Sequence, residues 1–245
     1  MDSILELSDL IAIYKKPAQA PIEDFSKWFP LFPSEKLAEL CGFLIGDGHL
    51  QPAPRWRVDF TSNSFETLNY VNSLFFDLFG IKGKIRKCVT NNYDTYNLGV
   101  NCKSLTRTLF LCGVPTGAKV QCSFGVPNWV LADAIYFRAF LRAYFSSEGC
   151  VEKERRISVN QWKCIDKLPD GEEFMSQVIF GLKNYFGISC SGPYQIAFQN
   201  NTKKGITQAI KICIRRKKDF EEYTKKIGFV DLVKQAKAEL LVGDY

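Results

Sequence analysis

Two carboxylates in this chain follow matching apolar stretches. Asp47 comes near the end of LCGFLIGDG, residues 40–48, and Glu148 near the end of LRAYFSSEG, residues 141–149. If both stretches are helices that pack against each other, the two acids meet at one end of the shared interface. Carboxylates at close range repel, and divalent metal ions supply a reason to bring them together. The pair therefore indicates a site that binds divalent metal ions.

Small residues four positions apart would let these two helices approach closely. Residues at i and i+4 lie on one face of a helix, and without bulky side chains the two backbones can touch. The predicted interface residues are Gly42, Gly46, Ala143 and Ser147. A glycine follows each acid, Gly48 in one stretch and Gly149 in the other, and offers each helix a ready C-cap.

Both stretches resemble the LAGLIDADG motif of homing endonucleases, in the single-chain form that carries two copies. Small residues at the third and seventh motif positions and an acid at the eighth follow the family pattern, with mild departures at Phe43, Tyr144, Ser146 and Glu148. The resemblance covers residues 35–240. It implies an α+β fold, in which two tandem αββαββα repeats form a pseudo-twofold monomer with a saddle-like antiparallel DNA-binding sheet.

The resemblance also implies an activity, namely site-specific cleavage of both strands of a long asymmetric DNA target with 3′ overhangs. In the family, the acids at these motif positions bind the metal ions, so Asp47 and Glu148 become the expected ligands. The backbone carbonyls of Gly46 and Ser147 could add ligands. The expected cofactor is Mg²⁺, as two or three ions, with Mn²⁺ as a substitute and Ca²⁺ supporting binding without cleavage.

Two lysines occupy matched positions late in each half of the chain. Lys119 lies six residues after Gly113, and Lys234 lies six residues after Gly228. They match lysines that the family places near the metal-bound water, where a cation stabilises developing negative charge. The alternative for each is an ordinary surface lysine.

The elements that position these residues repeat along the chain. After each motif, alternating apolar and polar residues predict a strand, over residues 55–61 and 156–160. Arg55 and Arg156 both lie eight residues after the acid, which aligns them. The other predicted elements are helices near 64–79 and 171–186, strands near 82–89, 95–101, 193–199 and 206–214, and shorter helices near 103–111 and 216–226.

The same repeat divides the chain into four segments. The predicted segments are an N-terminal accessory arm packed on the first unit (1–34), a first LAGLIDADG subdomain (35–125), a linker (126–130) and a second LAGLIDADG subdomain (131–245). The second motif helix is expected to start near Leu131.

Basic and amide side chains fall on or beside the predicted strands of both halves. A two-stranded ribbon fits the major groove, where Arg reads guanine and Asn or Gln reads adenine, while lysines at the edges hold phosphates. The candidate DNA-binding residues are Arg55, Arg57, Asp59, Lys84, Arg86, Asn97, Lys153, Arg156, Ser158, Asn160, Gln195 and Gln199. For any one of them, a solvated sheet face is the alternative.

Composition narrows the class of protein. The 245 residues are 46% hydrophobic and carry a net charge of +6, which suits a folded domain but is weak evidence for nucleic acid. Nine scattered cysteines and a single histidine exclude a Cys/His zinc site. The chain has no apolar run long enough to span a membrane, and it does not start with the basic segment of a signal peptide. We therefore expect an intracellular monomer, in the cytoplasm, nucleoid or organelle matrix, that is neither secreted nor membrane-bound.

Two other functions compete with a nuclease that supports intron homing. One is an intron-encoded RNA maturase whose partner is the host intron RNA, and the other is a catalytically silent DNA-binding regulator of the same fold. Intact acids in both motifs and both lysines favour the nuclease. The chain opens with Met1-Asp2 and ends with Gly243-Asp244-Tyr245, so an intein is not expected.

Overall fold

The computed structural model describes residues 2–14, 25–89, 94–201 and 205–243. A short helix, α1 (Leu7–Ala12), and a 3-10 turn (Ser26–Trp28) precede two units with the same order of elements. The first unit consists of α2 (Glu35–Gly46), β1 (Gly48–Gln51), β2 (Arg57–Ser62), α3 (Phe65–Phe79), β3 (Lys84–Lys87), β4 (Tyr96–Val100) and α4 (Lys103–Leu111).

The second unit follows a single helical turn, α5 (Asn128–Leu131), and repeats this order with an added 3-10 turn and an added final helix. Its elements are α6 (Ala134–Glu148), β5 (Gly149–Glu152), β6 (Arg156–Cys164), a 3-10 turn (Ile165–Lys167), α7 (Leu168–Phe186), β7 (Ser191–Asn201), β8 (Gly205–Ile214), α8 (Lys217–Lys226) and α9 (Leu232–Gly243).

Each unit contains one antiparallel four-stranded sheet, and the two sheets have the same topology. The strand orders are β1-β2-β4-β3 and β5-β6-β8-β7. Helix α3 packs on β2 and β4, and α7 packs on β6, β7 and β8, so one face of each sheet is covered and the other is left open. The predicted α+β fold with two tandem repeats is confirmed.

The motif helices α2 and α6 begin at side-chain caps. The Ser34 hydroxyl accepts the Leu37 amide hydrogen at 3.2 Å, and an Asp133 carboxylate oxygen accepts that of Ile135 at 2.7 Å. Asp133 has extended backbone, which separates α6 from the turn α5. The second motif helix therefore starts at Ala134, three residues after the position expected from the sequence.

Helices α2 and α6 pack together so closely that their backbones touch. A methyl group on Gly42 would lie 2.4 Å from the Phe140 carbonyl oxygen, and one on Gly46 would lie 2.4 Å from Cβ of Ser147. Ala143 Cβ would lie 3.0 Å from the same methyl on Gly42. Buried side chains of both helices continue into one hydrophobic core that joins the two units.

The glycine after the acid is the C-cap of only one motif helix, since Gly149 caps α6 whereas Asp47 caps α2. Gly48 and Gly149 do not adopt the left-handed conformation, and Gly149 is extended. A Cβ on Gly48 would lie 2.5 Å from Cα of Leu44, and one on Gly149 would lie 2.4 Å from the Phe145 carbonyl oxygen. These glycines are needed because the chain turns back against its own helix and leaves no room for a side chain.

The predicted alignment of the two repeats after the motifs is wrong. Gln51 pairs with Arg57, and Glu152 pairs with Arg156, so Arg57 rather than Arg55 is the equivalent of Arg156. The first hairpin turn has five residues and the second has three. Because an insertion of two residues preserves the alternation of a strand, the sequence pattern did not reveal the shift.

The described part of the N-terminal arm packs on the first unit. Leu5 forms a β-bridge with Leu31, and the buried Trp28 donates its indole N–H to the Phe79 carbonyl at 3.0 Å. Leu10 of α1 is also buried. The Trp28 contact attaches the arm to the end of α3, and α1 packs on α4.

Candidate active site and nucleic-acid interface

The two motif acids stand at the C-terminal ends of the packed helices. Asp47 is the C-cap of α2, and Glu148 is the last residue of α6. Cγ of Glu148 lies 3.6 Å from the position that a Cβ on Gly46 would occupy, so this acid lies directly beside α2. A helix C-terminus carries partial negative charge, which makes it an unfavourable place for a carboxylate.

The surroundings raise the pKa of both acids. Solvent reaches Asp47, and Glu148 is half-buried, yet both lose hydration because protein crowds them on several sides. This loss raises the pKa of Asp47 above its usual range and the pKa of Glu148 to about 7. Lys119 and Lys234 lower both pKa values, while the Asp47 charge raises that of Glu148. Burial therefore outweighs the attraction of the two lysines at both acids.

The two lysines make equivalent contacts with the two helices. Lys119 Nζ donates to the Ile45 carbonyl at 2.9 Å, and Lys234 Nζ donates to the Ser146 carbonyl. Each carbonyl lies two residues before the acid and belongs to the last turn of the helix, where carbonyls lack intrahelical partners. Burial lowers the pKa of both lysines.

Lys234 is held in place by the motif of its own unit. The Ser146 hydroxyl accepts the amide hydrogens of Val230 at 2.7 Å and of Asp231 at 3.2 Å. The Asp231 carboxylate in turn accepts the amide hydrogens of Val233 and Lys234 at the start of α9. The hydroxyl that Ser146 brings to the motif thus fixes the position of Lys234.

The donor set fits a magnesium site completed by water and substrate. Among the described residues, no three His, Cys, Asp or Glu side chains cluster to form a metal site. Mg²⁺, however, prefers one or two carboxylates and takes its remaining ligands from waters and phosphates. Asp47 and Glu148 supply that number. The Gly46 carbonyl lies in the last turn of α2, and the Ser147 carbonyl lies 3.4 Å from Lys234 Nζ.

Five candidate DNA-binding residues share the open face of the first sheet. Register pairs Asp59 with Gly99 and Gly99 with Lys84, and directly paired residues point to the same face. The five residues on this face are Arg57, Asp59, Lys84, Arg86 and Asn97. Lys84 and Arg86 are exposed on the edge strand β3.

Some of these side chains bind one another. Arg57 forms an ion pair with Asp59 at 2.7 Å, and Gln51 also donates to Asp59. Asn97 donates to the Thr61 hydroxyl at 3.2 Å. The first sheet thus offers a polar surface whose central acid is already neutralised by an arginine.

On the second sheet, Glu152 has the equivalent central role. Its carboxylate accepts hydrogen bonds from Arg156 Nε at 2.6 Å and from the Ser158 hydroxyl at 2.7 Å, and Lys211 Nζ lies 3.6 Å away. Sequence reasoning missed Glu152. Its position four residues after Glu148, matching Gln51 in the first motif, was the available signal.

Other candidates of the second sheet differ in accessibility. Asn160 is exposed on the open face of β6, whereas Ser158 is buried beneath the Glu152 network. Gln199 lies on the open face as well, since it pairs with Thr207, which pairs with Cys164.

Two candidates, Gln195 and Arg55, lie elsewhere than the sequence predicts, and a third, Lys153, lies in a turn beside a strand. Gln195 pairs with Ile210 on the helix-covered side and donates to Glu172 of α7 at 2.7 Å. Irregularities on both sides of this position in β7 reverse the alternation, so a simple strand pattern assigns the wrong face. Arg55 and Lys153 lie in the hairpin turns beyond the ends of the strands.

Within the ranges that the structure covers, no helix is long and apolar enough to cross a membrane.

Comparison with known proteins identifies the fold. The profile of the LAGLIDADG-like domain family matches residues 34–113. The structure resembles the homing endonuclease I-WcaI bound to its DNA recognition sequence, with 14% identity, a TM-score of 0.52, and coverage of 93% of this chain and 97% of that one. It also resembles an I-DmoI variant in complex with its nicked target DNA and Mn, with 18% identity, a TM-score of 0.50, and coverage of 79% and 95%.

The same fold occurs in full-length WhiA from Thermatoga maritima, with 17% identity, a TM-score of 0.52, and coverage of 96% of this chain and 64% of that one. The resemblance inferred from the two motifs is confirmed as a likeness of fold.

The chain also matches segments of two much longer proteins. One is the tRNA-splicing ligase RtcB of Methanopyrus kandleri, 24% identical over 212 residues that cover 79% of this chain and 20% of that protein. The other is a glutamine–fructose-6-phosphate aminotransferase of Methanocaldococcus jannaschii, 28% identical over 217 residues, which cover 87% and 18%. The chain spans about a fifth of each, and the two names are unrelated, so neither activity carries over.

Proposed function

Because this chain has the two-motif LAGLIDADG fold, we propose that it is a homing endonuclease that cuts both strands of a long asymmetric DNA site and leaves 3′ overhangs. It acts as a monomer, since one chain supplies both motifs. The break it makes would support homing of a host intron.

One observation carries this proposal, namely the equivalent arrangement of an acid and a lysine at the end of each motif helix. Burial raises the pKa of Asp47 and of Glu148, and Lys119 and Lys234 both bond to the carbonyl two residues before the acid. A protein that only binds DNA has no need to crowd two carboxylates in this way.

The chemistry of the site is metal-dependent phosphodiester hydrolysis. Asp47 and Glu148 would hold Mg²⁺, with the Gly46 and Ser147 carbonyls as further ligands. A divalent ion there would activate water and stabilise the leaving oxygen. Lys119 and Lys234 place positive charge beside the scissile phosphates and stabilise the charge that develops on them. Mn²⁺ would substitute for Mg²⁺, and Ca²⁺ would support binding without cleavage.

The open faces of the two sheets would bind the DNA. On the first sheet, Lys84 and Arg86 are exposed and free to contact phosphates or guanine edges. On the second sheet, Asn160 and Gln199 are exposed amides suited to adenine. Arg55 and Lys153 in the turns would reach the DNA backbone at the ends of the site.

A DNA-binding regulator without catalysis is the second candidate, because the fold neighbours include WhiA besides the endonucleases. The two retained acids and their lysines favour cleavage over this alternative. An RNA maturase that binds the host intron is the third, and no observation on the open faces favours RNA over DNA.

Cleavage of a randomised duplex library in Mg²⁺, with sequencing of the ends, tests the proposal. Wild type should produce defined ends around one long motif, and Asp47→Asn should produce none. If wild type retains duplexes in Ca²⁺ but cuts nothing in Mg²⁺, the regulator is supported instead. If it retains no duplex, folded intron RNA becomes the ligand to assay.

A further inference from the structure

A lysine outside the motif site is completely buried in the second unit. Lys163 lies near the end of β6, on the face that packs against α7, and is 0% exposed. A buried ammonium group is costly unless polar partners replace its hydration. Its presence among apolar residues therefore calls for a specific partner.

The partners of Lys163 belong to the segment that connects the two units. Its Nζ donates to the Lys119 carbonyl at 3.0 Å and to the Cys122 carbonyl at 2.6 Å. It also lies 3.9 Å from the centroid of the Phe124 ring, a cation–π contact. One of the two carbonyls thus belongs to a lysine of the candidate active site.

The rest of the connecting segment, residues 116–126, is held between both units. On the first unit, the Gly117 amide donates to the Leu50 carbonyl of β1 at 2.8 Å. On the second unit, the Cys164 amide donates to the Val120 carbonyl at 2.8 Å, and the Ser123 hydroxyl donates to Asp170 at 2.6 Å. Lys119 lies between these contacts with the first and second units, and its side chain reaches the end of α2.

The two active-site lysines therefore depend on different supports. Lys234 is positioned by Ser146, a residue of its own motif helix. Lys119 belongs to a connecting segment that contacts both units, and the only charged side chain among the described contacts to its own carbonyl is Lys163 of the second unit.

We propose that Lys163 is a positioning residue that fixes the connecting segment so that the Lys119 amine reaches the end of α2 beside Asp47 and Glu148. The second unit thereby completes the site of the first. The consequence for DNA cleavage rests on the proposed function, whereas the positioning of Lys119 does not.

Gly171 of α7 makes room for this contact. A Cβ at Gly171 would lie 2.6 Å from Cδ1 of Ile210, 2.7 Å from Cγ of Lys163 and 3.4 Å from Cε of Lys163. Gly171→Ala would therefore crowd the side chains of both Ile210 and Lys163, and the charge of Lys163 would remain.

Competitive acetylation of the lysines by acetic anhydride, read by mass spectrometry, tests the positioning without DNA. In Lys163→Met, the reactivity of Lys119 should rise several-fold while that of Lys234 stays unchanged, because only Lys119 depends on the connecting segment. Lys183→Met, which removes an exposed lysine of α7, is the matched control and should change neither. Equal changes at Lys119 and Lys234, or no change at either, would overturn the proposal.

Gly171→Ala is the second variant and replaces Lys163→Met if the latter does not fold. It should raise the reactivity of Lys119 relative to Lys234 in the same direction. An unchanged ratio in a folded Gly171→Ala protein would also overturn the proposal.

Cleavage adds a second readout on a duplex that wild type cuts. Lys163→Met should slow the nicking of one strand more than that of the other, with unchanged DNA binding in Ca²⁺, whereas a general loss of stability would slow both strands equally. If wild type cuts no duplex, the proposed function fails, and the acetylation result still decides the role of Lys163.

Discussion

Glu148 experiences several opposing influences at once. Crowding by protein and the charge of Asp47 favour the neutral form of Glu148, while Lys119 and Lys234 favour the carboxylate. Crowding and the Asp47 charge outweigh the two lysines, so the pKa of Glu148 rises to about 7. In the unfolded chain, the pKa of Glu148 returns to its usual value of 4.5. Between these two values the folded state keeps a proton that the unfolded state has released.

The sign of this shift gives a stability prediction. As pH rises through the window from 4.5 to about 7, ionisation of Glu148 favours the unfolded chain, so metal-free wild type loses stability. Glu148→Gln removes the ionisable group and therefore the loss of stability with rising pH. In EDTA, the Tm of Glu148→Gln should exceed the Tm of wild type at pH 8 and should equal it near pH 5. Glu154→Gln, at an exposed acid in the neighbouring turn, is the control. A Tm difference that is the same at both pH values would contradict the account.

The active-site lysines should matter more for catalysis than for binding. Lys119→Met and Lys234→Met each remove a cation beside the acids, and each should slow single-turnover cleavage by about 10²-fold, the usual cost of losing one electrostatic stabiliser. Affinity for DNA in Ca²⁺ should change little. Lys237→Met, which removes another lysine of α9 bonded to a backbone carbonyl, provides the comparison. A cleavage rate equal to that of wild type would mean that the two lysines only cap the motif helices and do not contribute to catalysis.

At the scale of elements, the contact between α2 and α6 determines where the acids meet. Gly42→Ala would gain about 1 kcal/mol of helix propensity. The added methyl would, however, lie 2.4 Å from the backbone oxygen of Phe140, which cannot move aside as a side chain can. We expect a net loss of about 1–3 kcal/mol in the free energy of unfolding, measured by denaturant titration.

Gly243→Ala at the end of α9 is the matched control, because a methyl there meets nothing within 4 Å. It should leave the free energy of unfolding unchanged or slightly higher. If Gly42→Ala were as stable as this control, the close packing of the motif helices would be wrong.

The sheets lead to a prediction about salt. Glu152 holds Arg156 and Lys211 in an intramolecular network, so Glu152→Gln should free positive charge for phosphate contacts. Affinity for duplexes without the target site should rise, and the plot of log affinity against log salt should steepen by about 1–2 units. Glu154→Gln, whose acid is exposed at the edge of the same network, should show a smaller effect. An unchanged slope would mean that these side chains do not contact DNA.

Local sequence features determine some elements, whereas contacts between distant residues determine others. The motif helices and the acids were predictable, because the small-residue spacing and the apolar periodicity are local features of residues 40–48 and 141–149. The alignment of Arg55 with Arg156 failed because a turn that is two residues longer leaves the alternation intact. Gln195 was assigned to the wrong face because irregular pairing in β7 is set by its partner strand.

At the scale of the whole molecule, the two units share one fold but support their active sites differently. The relation between Lys119 and Lys234 was visible in sequence, since both lie six residues after a glycine. The role of Lys163 was not visible, because its partners, the carbonyls of Lys119 and Cys122, are more than forty residues away in sequence and meet it only in the folded protein. Contacts across the junction of two units leave no local pattern.

Strand-resolved cleavage of the selected duplex tests the central claim most directly, namely that Asp47 and Glu148 together form a metal-dependent site for cutting DNA. Both 5′ ends would be labelled, and wild type, Asp47→Asn and Glu148→Gln would be compared in Mg²⁺, with binding measured in Ca²⁺. The account predicts that wild type cuts both strands and leaves 3′ overhangs. It also predicts that each variant binds the duplex normally but makes no double-strand break. A variant that cuts both strands at the wild-type rate, or wild-type cutting that persists in EDTA, would contradict it.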